Sequence, residues 1–270
     1  MPTNINQIIA AYVPSKASDV ALALAHNLSE KYDARLTIIN VNPEKSKPGT
    51  VKKGIAKIMG EDSKSYGFVE KTGKPYKEIL MLEEAINGDM IVMGSHGSKE
   101  RDPEWIGGNA FKVLSGSRCP VLILPQEYHG NNFRNIVLSL SDTSETRQKV
   151  NLAVDLAQKY DAIVHIILVH KDEDPQSLHR LKIYAEQVKK LCENKEVNYD
   201  FAEIYNKNIA TASIEYANSV KADLICIMSE RESPLNFFLG NYAQQLINET
   251  NIPVLTVHAR DFQIVGEAGY

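Results

Sequence analysis

The chain has 270 residues, of which 43% are hydrophobic and 24% charged, and a formal net charge of −4. That composition suits a globular protein with full cores, built as one large domain or two of ordinary size. Mild acidity without a long basic run excludes a general nucleic-acid binder.

In chain order, Gln7–Val13 is a short apolar run and predicts a buried strand. Val20, Leu24 and Leu28 place one apolar face on a helix over Ala17–Lys31. Leu36–Val41 reads as the second strand, and Val51–Met59 as a helix weakened by Gly54. Tyr66–Thr72 alternates and is polar, which suits an edge strand. A helix over Tyr76–Ala85, a strand over Met90–Met93, a helix over Asn109–Ser115 and a strand over Val121–Leu124 complete the first half.

The second half runs in the same order. Strands are predicted over Ile136–Leu140, Val164–Val169, Tyr199–Glu203, Leu224–Met228 and Val254–Val257. Helices are predicted from a Ser144 cap to Lys159, then over Gln176–Asn194, Ile209–Ser219 and Tyr242–Glu249. Strands alternating with helices imply parallel sheets covered on both faces. In such sheets ligands sit beyond the carboxyl ends of the strands.

The two halves are copies. Lys31-Tyr32-Asp33-Ala34 recurs as Lys159-Tyr160-Asp161-Ala162. Asp89 to Met93 is answered by Asp223 to Met228, Ile106-Gly107 by Leu239-Gly240, and Cys119-Pro120-Val121-Leu122 by Ile252-Pro253-Val254-Leu255. A register held this far means a duplicated domain. The expected domains are residues 1–128 and 133–270, joined by the polar stretch Gln126–Phe133.

The stretch Asp89–Leu124 carries the candidate site. A strand runs into Gly94-Ser95-His96-Gly97, a polar loop follows with the only tryptophan (Trp105), and Gly107-Gly108-Asn109 opens a helix. Glycines after a strand let backbone approach a ligand closely. A helix start beside them offers N–H groups to a phosphate. The segment is neither a Walker loop nor a G-x-G-x-x-G fingerprint.

These residues resemble the universal stress protein family, whose nucleotide motif is G-x2-G-x9-G-S/T. Gly94, Gly97 and Gly107 fit that spacing without a gap, and Cys119–Leu124 and both strand openings are also similar. The resemblance covers nearly the whole chain, twice, and looks like the tandem members of the family. It implies two repeated doubly wound α/β domains, each a five-stranded parallel sheet of order 3-2-1-4-5 with helices on both faces. It also implies ATP, with or without magnesium, on the glycine loop and the Gly107, Gly108 and Asn109 backbone. Val41 would meet the base through its backbone. Ala11, Val13 and Met93 complete the expected surroundings, Val13 standing where the family carries an aspartate.

The departures are specific. Val13 removes that carboxylate, and Gly108 stands where the motif has a hydroxyl. In the second half Ser229 and Glu232 replace the first two glycines, Ser141 replaces the aspartate, and the loop before Gly240 is two residues shorter. Acid there repels a triphosphate, so ATP is expected in the first half only.

Other features have plainer readings. Cys119, Cys192 and Cys226 are far apart in apolar surroundings, which suits buried thiols rather than disulfides or a zinc site. His96 has no nucleophile beside it, so no catalytic residue is assigned and at most a slow ATPase is expected. Trp105 reads as packing or a lid, Glu230 and Glu232 as a solvated acidic loop, Phe237-Phe238-Leu239 as packing, and Lys189-Lys190 as a solvated helix face. No apolar run nears the ~20 residues of a membrane span. The N-terminal sequence lacks signal-peptide character, so the expected location is cytoplasmic. The expected function is an ATP-binding stress-response regulator with an unknown protein partner. The alternative keeps the fold as a nucleotide-free pseudo-dimeric platform for that partner. The resemblance also implies pairing of Cys119–Leu124 with Pro253–Val257, because domains of this family often pair through their last strands, with further homodimerisation left open.

Overall fold

The structure is a computed structural model that describes residues 5–41, 49–60, 66–95, 107–140, 147–170, 175–206, 208–229 and 241–258. The first half runs β1 (Gln7–Ala11), α1 (Lys16–Tyr32), β2 (Arg35–Val41), α2 (Thr50–Met59), β3 (Gly67–Lys71), α3 (Pro75–Ile86), β4 (Met90–Gly94), α4 (Gly108–Gly116) and β5 (Val121–Leu124). The second runs β6 (Asn135–Leu140), α5 (Arg147–Tyr160), β7 (Ile163–His170), α6 (Pro175–Asn194), β8 (Tyr199–Tyr205), α7 (Ile209–Ser219), β9 (Leu224–Ser229), α8 (Asn241–Glu249) and β10 (Val254–His258). Every predicted element is present. The Ser144 cap and the Phe237–Leu239 cluster lie outside the described residues.

Each half has the order 3-2-1-4-5, and the halves merge into one ten-stranded sheet, β3-β2-β1-β4-β5-β10-β9-β6-β7-β8. The joint is the antiparallel pair β5–β10, with Leu122 opposite Leu255; all other pairs are parallel. Two edges that would each be open in an isolated half close on one another. The outer edges, β3 and β8, are the polar, part-exposed strands.

Period-2 alternation sends strand residues to opposite faces. Ile8, Ile38, Val92 and their second-half counterparts meet α1, α2, α5 and α6. Ile9, Ile39, Ile91 and theirs meet α3, α4, α7 and α8. Gly54, which weakens α2 in the sequence, has a physical reason: a Cβ there would overlap the Tyr12 hydroxyl. Phe133 is fully buried and edge-on to the Tyr160 ring at 5.0 Å. It therefore belongs to the core rather than to a polar linker. Among the described residues, no helix is long and apolar enough to cross a membrane.

The repeated sequences are repeated joints. Asp33 and Asp161 both take φ 52°, the left-handed turn that ends α1 and α5 and that aspartate tolerates better than most residues. Asp89 Oδ2 accepts from the N–H of Asn6 (2.8 Å) and Gln7 (2.9 Å), and Asp223 Oδ2 accepts from Arg134 (2.8 Å) and Asn135 (3.0 Å). Each carboxylate pins the start of the central strand of its half. Across the pseudo-dyad, Tyr32 donates to Asp155 at 2.8 Å and Tyr160 donates to Asn27 at 2.6 Å. Lys31 sits over the Tyr160 ring at 5.2 Å and Lys159 over the Tyr32 ring at 5.3 Å. Burial, helped by Asp155, holds the Tyr32 hydroxyl far above the usual phenol range, so it remains a donor.

Thr256 breaks this symmetry at a cost. It is fully buried in β10 at the place Ile123 takes in β5, and its hydroxyl is without a hydrogen-bond partner among the described residues. Thr256→Val removes the unsatisfied group at nearly constant shape. It is expected to stabilise by about 1–2 kcal/mol. A thermal melt should show the midpoint rising by several degrees; an unchanged or lower midpoint would show the hydroxyl to be satisfied.

Candidate functional site

The direction of chain progression reverses between β1 and β4, which lie side by side with Ala11 opposite Met93. Crevices of doubly wound sheets form at this switch point, beyond the carboxyl ends of the strands. The structure gathers the predicted residues here. Ala11 ends β1 and pairs with Ile39 on one side and Met93 on the other. Gly94 ends β4, Val41 ends β2, and Val13 lies two residues past β1. Ala11 and Val13 are half-buried, whereas Val41 and Met93 are buried. His96, Gly97 and Trp105 lie outside the described residues.

The base of the glycine loop is closed by backbone bonds. Ser95 N–H donates to the Leu124 carbonyl at 2.8 Å, and Gly107 N–H donates to the Ser95 carbonyl at 2.9 Å. The segment therefore leaves and returns at one point beside β5. Gly107 is the extended N-cap of α4, with no side-chain capping bond, and the first turn carries no acidic residue. The opening N–H groups of a helix have no intrahelical acceptor, and together with the helix dipole they favour an anion. Gly108 and Asn109 are exposed at this start. Among the described residues, a Cβ on Gly108 would meet nothing within 4 Å. The position is open among them and lies beside backbone donors of a helix start, which suits an anion.

Gly94 proves to serve another purpose. A Cβ there would lie 2.8 Å from the Ala17 Cβ and 3.1 Å from its carbonyl carbon. Its missing side chain lets α1 cross β4 closely. Gly94 thus fixes the wall of the crevice, and approach of a ligand is not needed to explain it.

Three residues at the site escape the motif. Tyr12 is buried, and its hydroxyl donates to Asp19 of α1 at 2.9 Å. Burial first, and then the Asp19 bond, hold that hydroxyl protonated, its pKa far above the usual value. Asn40, also buried, donates from Nδ2 to the Tyr12 carbonyl at 2.7 Å. The one sequence signal for Asn40 is an amide inside an apolar strand. β1 accordingly stops at Ala11 rather than Val13, because a side chain takes the carbonyl that a longer ladder would use.

The second half departs from this arrangement in a way the sequence misplaced: the register of β9 puts Met228, not Ser229, at the place of Gly94. The positions of Ser141, Glu230, Glu232 and Gly240 lie outside the described residues. Within them, Lys149 of α5 is buried, at the place Ala21 takes in α1. Its charge opposes the effect of burial on the Cys226 thiol, which is pushed up to about 12. Lys189 also departs from a plain solvated face: it covers the Phe201 ring at 3.9 Å and pairs with Glu186 at 2.7 Å. All three cysteines are buried and none is in a disulfide. No group of three or more His, Cys, Asp or Glu side chains is placed to hold a metal among the described residues.

Comparison with known proteins agrees with the duplicated architecture. A universal stress protein of Methanocaldococcus jannaschii is 27% identical over 134 residues, covering 42% of this chain and 79% of that protein. A putative universal stress protein from Pseudomonas aeruginosa UCBPP-PA14 is similar in structure along 95% of this chain and 94% of its own, with a TM-score of 0.74 at 16% identity. A universal stress protein from Archaeoglobus fulgidus DSM 4304 covers 96% of this chain and 98% of its own, with a TM-score of 0.71 at 17% identity. At such identities these two structures establish the fold alone. The sequence profile of the universal stress protein family matches residues 4–125 and again residues 132–258, and the chain therefore belongs to that family as a tandem member.

Proposed function

We propose that this protein is an ATP-binding regulatory protein that takes its nucleotide in the first half only. The observation that carries the reading is the start of α4. Exposed backbone at Gly108 and Asn109, uncapped and clear of neighbours, stands beside the switch point of the sheet. Phosphates would rest on these N–H groups and on the Gly97 loop. The base would lie toward the ends of β1 and β2, near Val41. The chain's own contribution is to bind and orient; no nucleophile or base is assigned, so hydrolysis is at most slow. Val13 and Gly108 make the site weaker than the family motif implies. The second half, with Met228 in place of Gly94 and no glycine between it and Gly240, serves as a structural or partner-binding copy. Magnesium would accompany the phosphates rather than sit in a protein cage.

ATP should quench or enhance the fluorescence of Trp105, the only tryptophan, and raise the melting midpoint. At a ligand excess of about 100-fold over Kd the stabilisation is about 2.7 kcal/mol. Gly97→Glu places bulk and negative charge on the phosphate loop and should abolish both responses while leaving the ligand-free melt in place. No response of the natural chain at millimolar ATP would remove the nucleotide reading. It would favour the pseudo-dimeric platform, whose test is recovery of a specific partner by nucleotide-free protein.

A further inference from the structure

Asn40 is 1% exposed. Its Nδ2 is satisfied by the Tyr12 carbonyl at 2.7 Å, yet its Oδ1 is buried with no partner among the described residues. A half-satisfied buried amide is unfavourable. An apolar residue would suit the strand better, as the second half shows: Leu168 of β7 stands at the matching place.

The geometry of the ladder indicates what the amide does. In a parallel pair, alternate residues of one strand address the same neighbour. Tyr12 N–H donates to the Ile39 carbonyl at 2.9 Å, so Ile39 faces β1. Val41, two residues on, faces the same side. The next bonds of the ladder would join Val41 N–H to the Tyr12 carbonyl and residue 14 to the Val41 carbonyl. Asn40 already occupies the Tyr12 carbonyl. Residue 14 is Pro14, which has no N–H to give. Among the described residues no backbone bond joins Val41 to the segment after β1.

The second half serves as an internal control. There the β6–β7 pairing runs on to Leu140 opposite Leu168. The β1–β2 pairing stops at Ala11 opposite Ile39, one pair earlier by the alignment of the two copies. Where leucine replaces the amide, the strands stay zipped for one more step.

We propose that Asn40 is a positioning residue that holds the β1–β2 ladder open, leaving the Val41 N–H and C=O to read a purine edge that offers an acceptor beside an N–H donor. This rests on the nucleotide reading above and adds to it the group that keeps the base contact available. Asn40 acts through Val41 and does not touch the ligand.

The test is Asn40→Leu, which copies the second half, with Asn40→Ala as a smaller change should the leucine variant fail to fold. Calorimetric titration with ATP and with inorganic tripolyphosphate separates the base from the phosphates. The expected result is an ATP affinity lower by about tenfold or more, the worth of a lost hydrogen-bond pair, with tripolyphosphate affinity unchanged. Amide hydrogen exchange at Val41 should become slower as its N–H closes onto Tyr12; general loosening would make it faster. Retained ATP affinity, an equal loss for tripolyphosphate, or faster exchange at Val41 would each overturn the proposal. Failure of the natural chain to bind ATP at all would remove the nucleotide reading and the purine contact with it. Binding by the natural chain with no difference in the variants would remove this proposal alone.

Discussion

A Gly108→Ser variant is expected to bind ATP roughly ten- to a hundredfold more tightly than the natural chain. The figure follows from one restored hydrogen bond to a charged phosphate, about 1.5–3 kcal/mol. The structure makes the exchange simple, because among the described residues a Cβ on Gly108 meets nothing within 4 Å and the residue is exposed at the first turn of α4. Serine also suits a helix better than glycine by a few tenths of a kcal/mol, so the ligand-free melt should hold or rise slightly. Gly108→Ala separates the two effects: it gains at least as much helix propensity as serine but has no hydroxyl. Titration with ATP should give a gain for serine alone. An equal gain for both variants would trace the effect to helix stability, and no gain for either would mean that the phosphates do not reach this turn.

Much of the fold was legible in the sequence because its signals are local and doubled. The Lys-Tyr-Asp-Ala repeat marks a helix end because aspartate holds the left-handed turn at Asp33 and at Asp161. The Asp89 and Asp223 repeats mark strand starts because each carboxylate accepts two backbone N–H groups. The joint between the halves followed from the family resemblance, whose domains often pair through their last strands, and β5 and β10 do pair. The site was only partly legible. Gly94 carries the motif spacing, yet its missing Cβ is explained by Ala17; a close helix and a close phosphate make the same demand on sequence. Asn40 left no periodic trace, because its effect runs from a side chain to a backbone carbonyl 28 positions away. The end of β1 was misplaced for the same reason.

The asymmetry of the two halves follows from the same chemistry. The sheet needs both copies to close the β5–β10 joint, so each keeps its fold even where its candidate site differs. The second half keeps the joints that serve the fold: Asp223, Asp161 and Tyr160. It changes positions at the candidate site, with Leu168 for Asn40 and Met228 for Gly94. Lys149 is buried where the first half has a small alanine, so its core at the start of α5 is built differently as well.

Replacing Glu83 by alanine is expected to cause the largest loss of stability, about 3–5 kcal/mol. Glu83 is 6% exposed on α3. Its Oε1 accepts from Arg118 N–H at 2.7 Å, Cys119 N–H at 2.8 Å and Ser117 Oγ–H at 3.0 Å. These donors lie in the turn between α4 and β5, so one carboxylate fixes the end of α4 to the strand that makes the joint with β10. Removing it leaves buried backbone donors without their acceptor, each worth about 1–3 kcal/mol. The Ser117 hydroxyl can turn wholly to the Cys119 carbonyl, which it already meets at 2.8 Å, so the full sum is not reached. Glu83→Gln keeps an acceptor oxygen at the same reach and should cost only about 1–2 kcal/mol, the difference between a charged and a neutral acceptor. Denaturant unfolding should therefore rank natural chain, glutamine and alanine in that order. Equal losses for both variants would make the negative charge decisive, and a loss below about 1 kcal/mol for alanine would show that the turn is held by β5 pairing without the carboxylate.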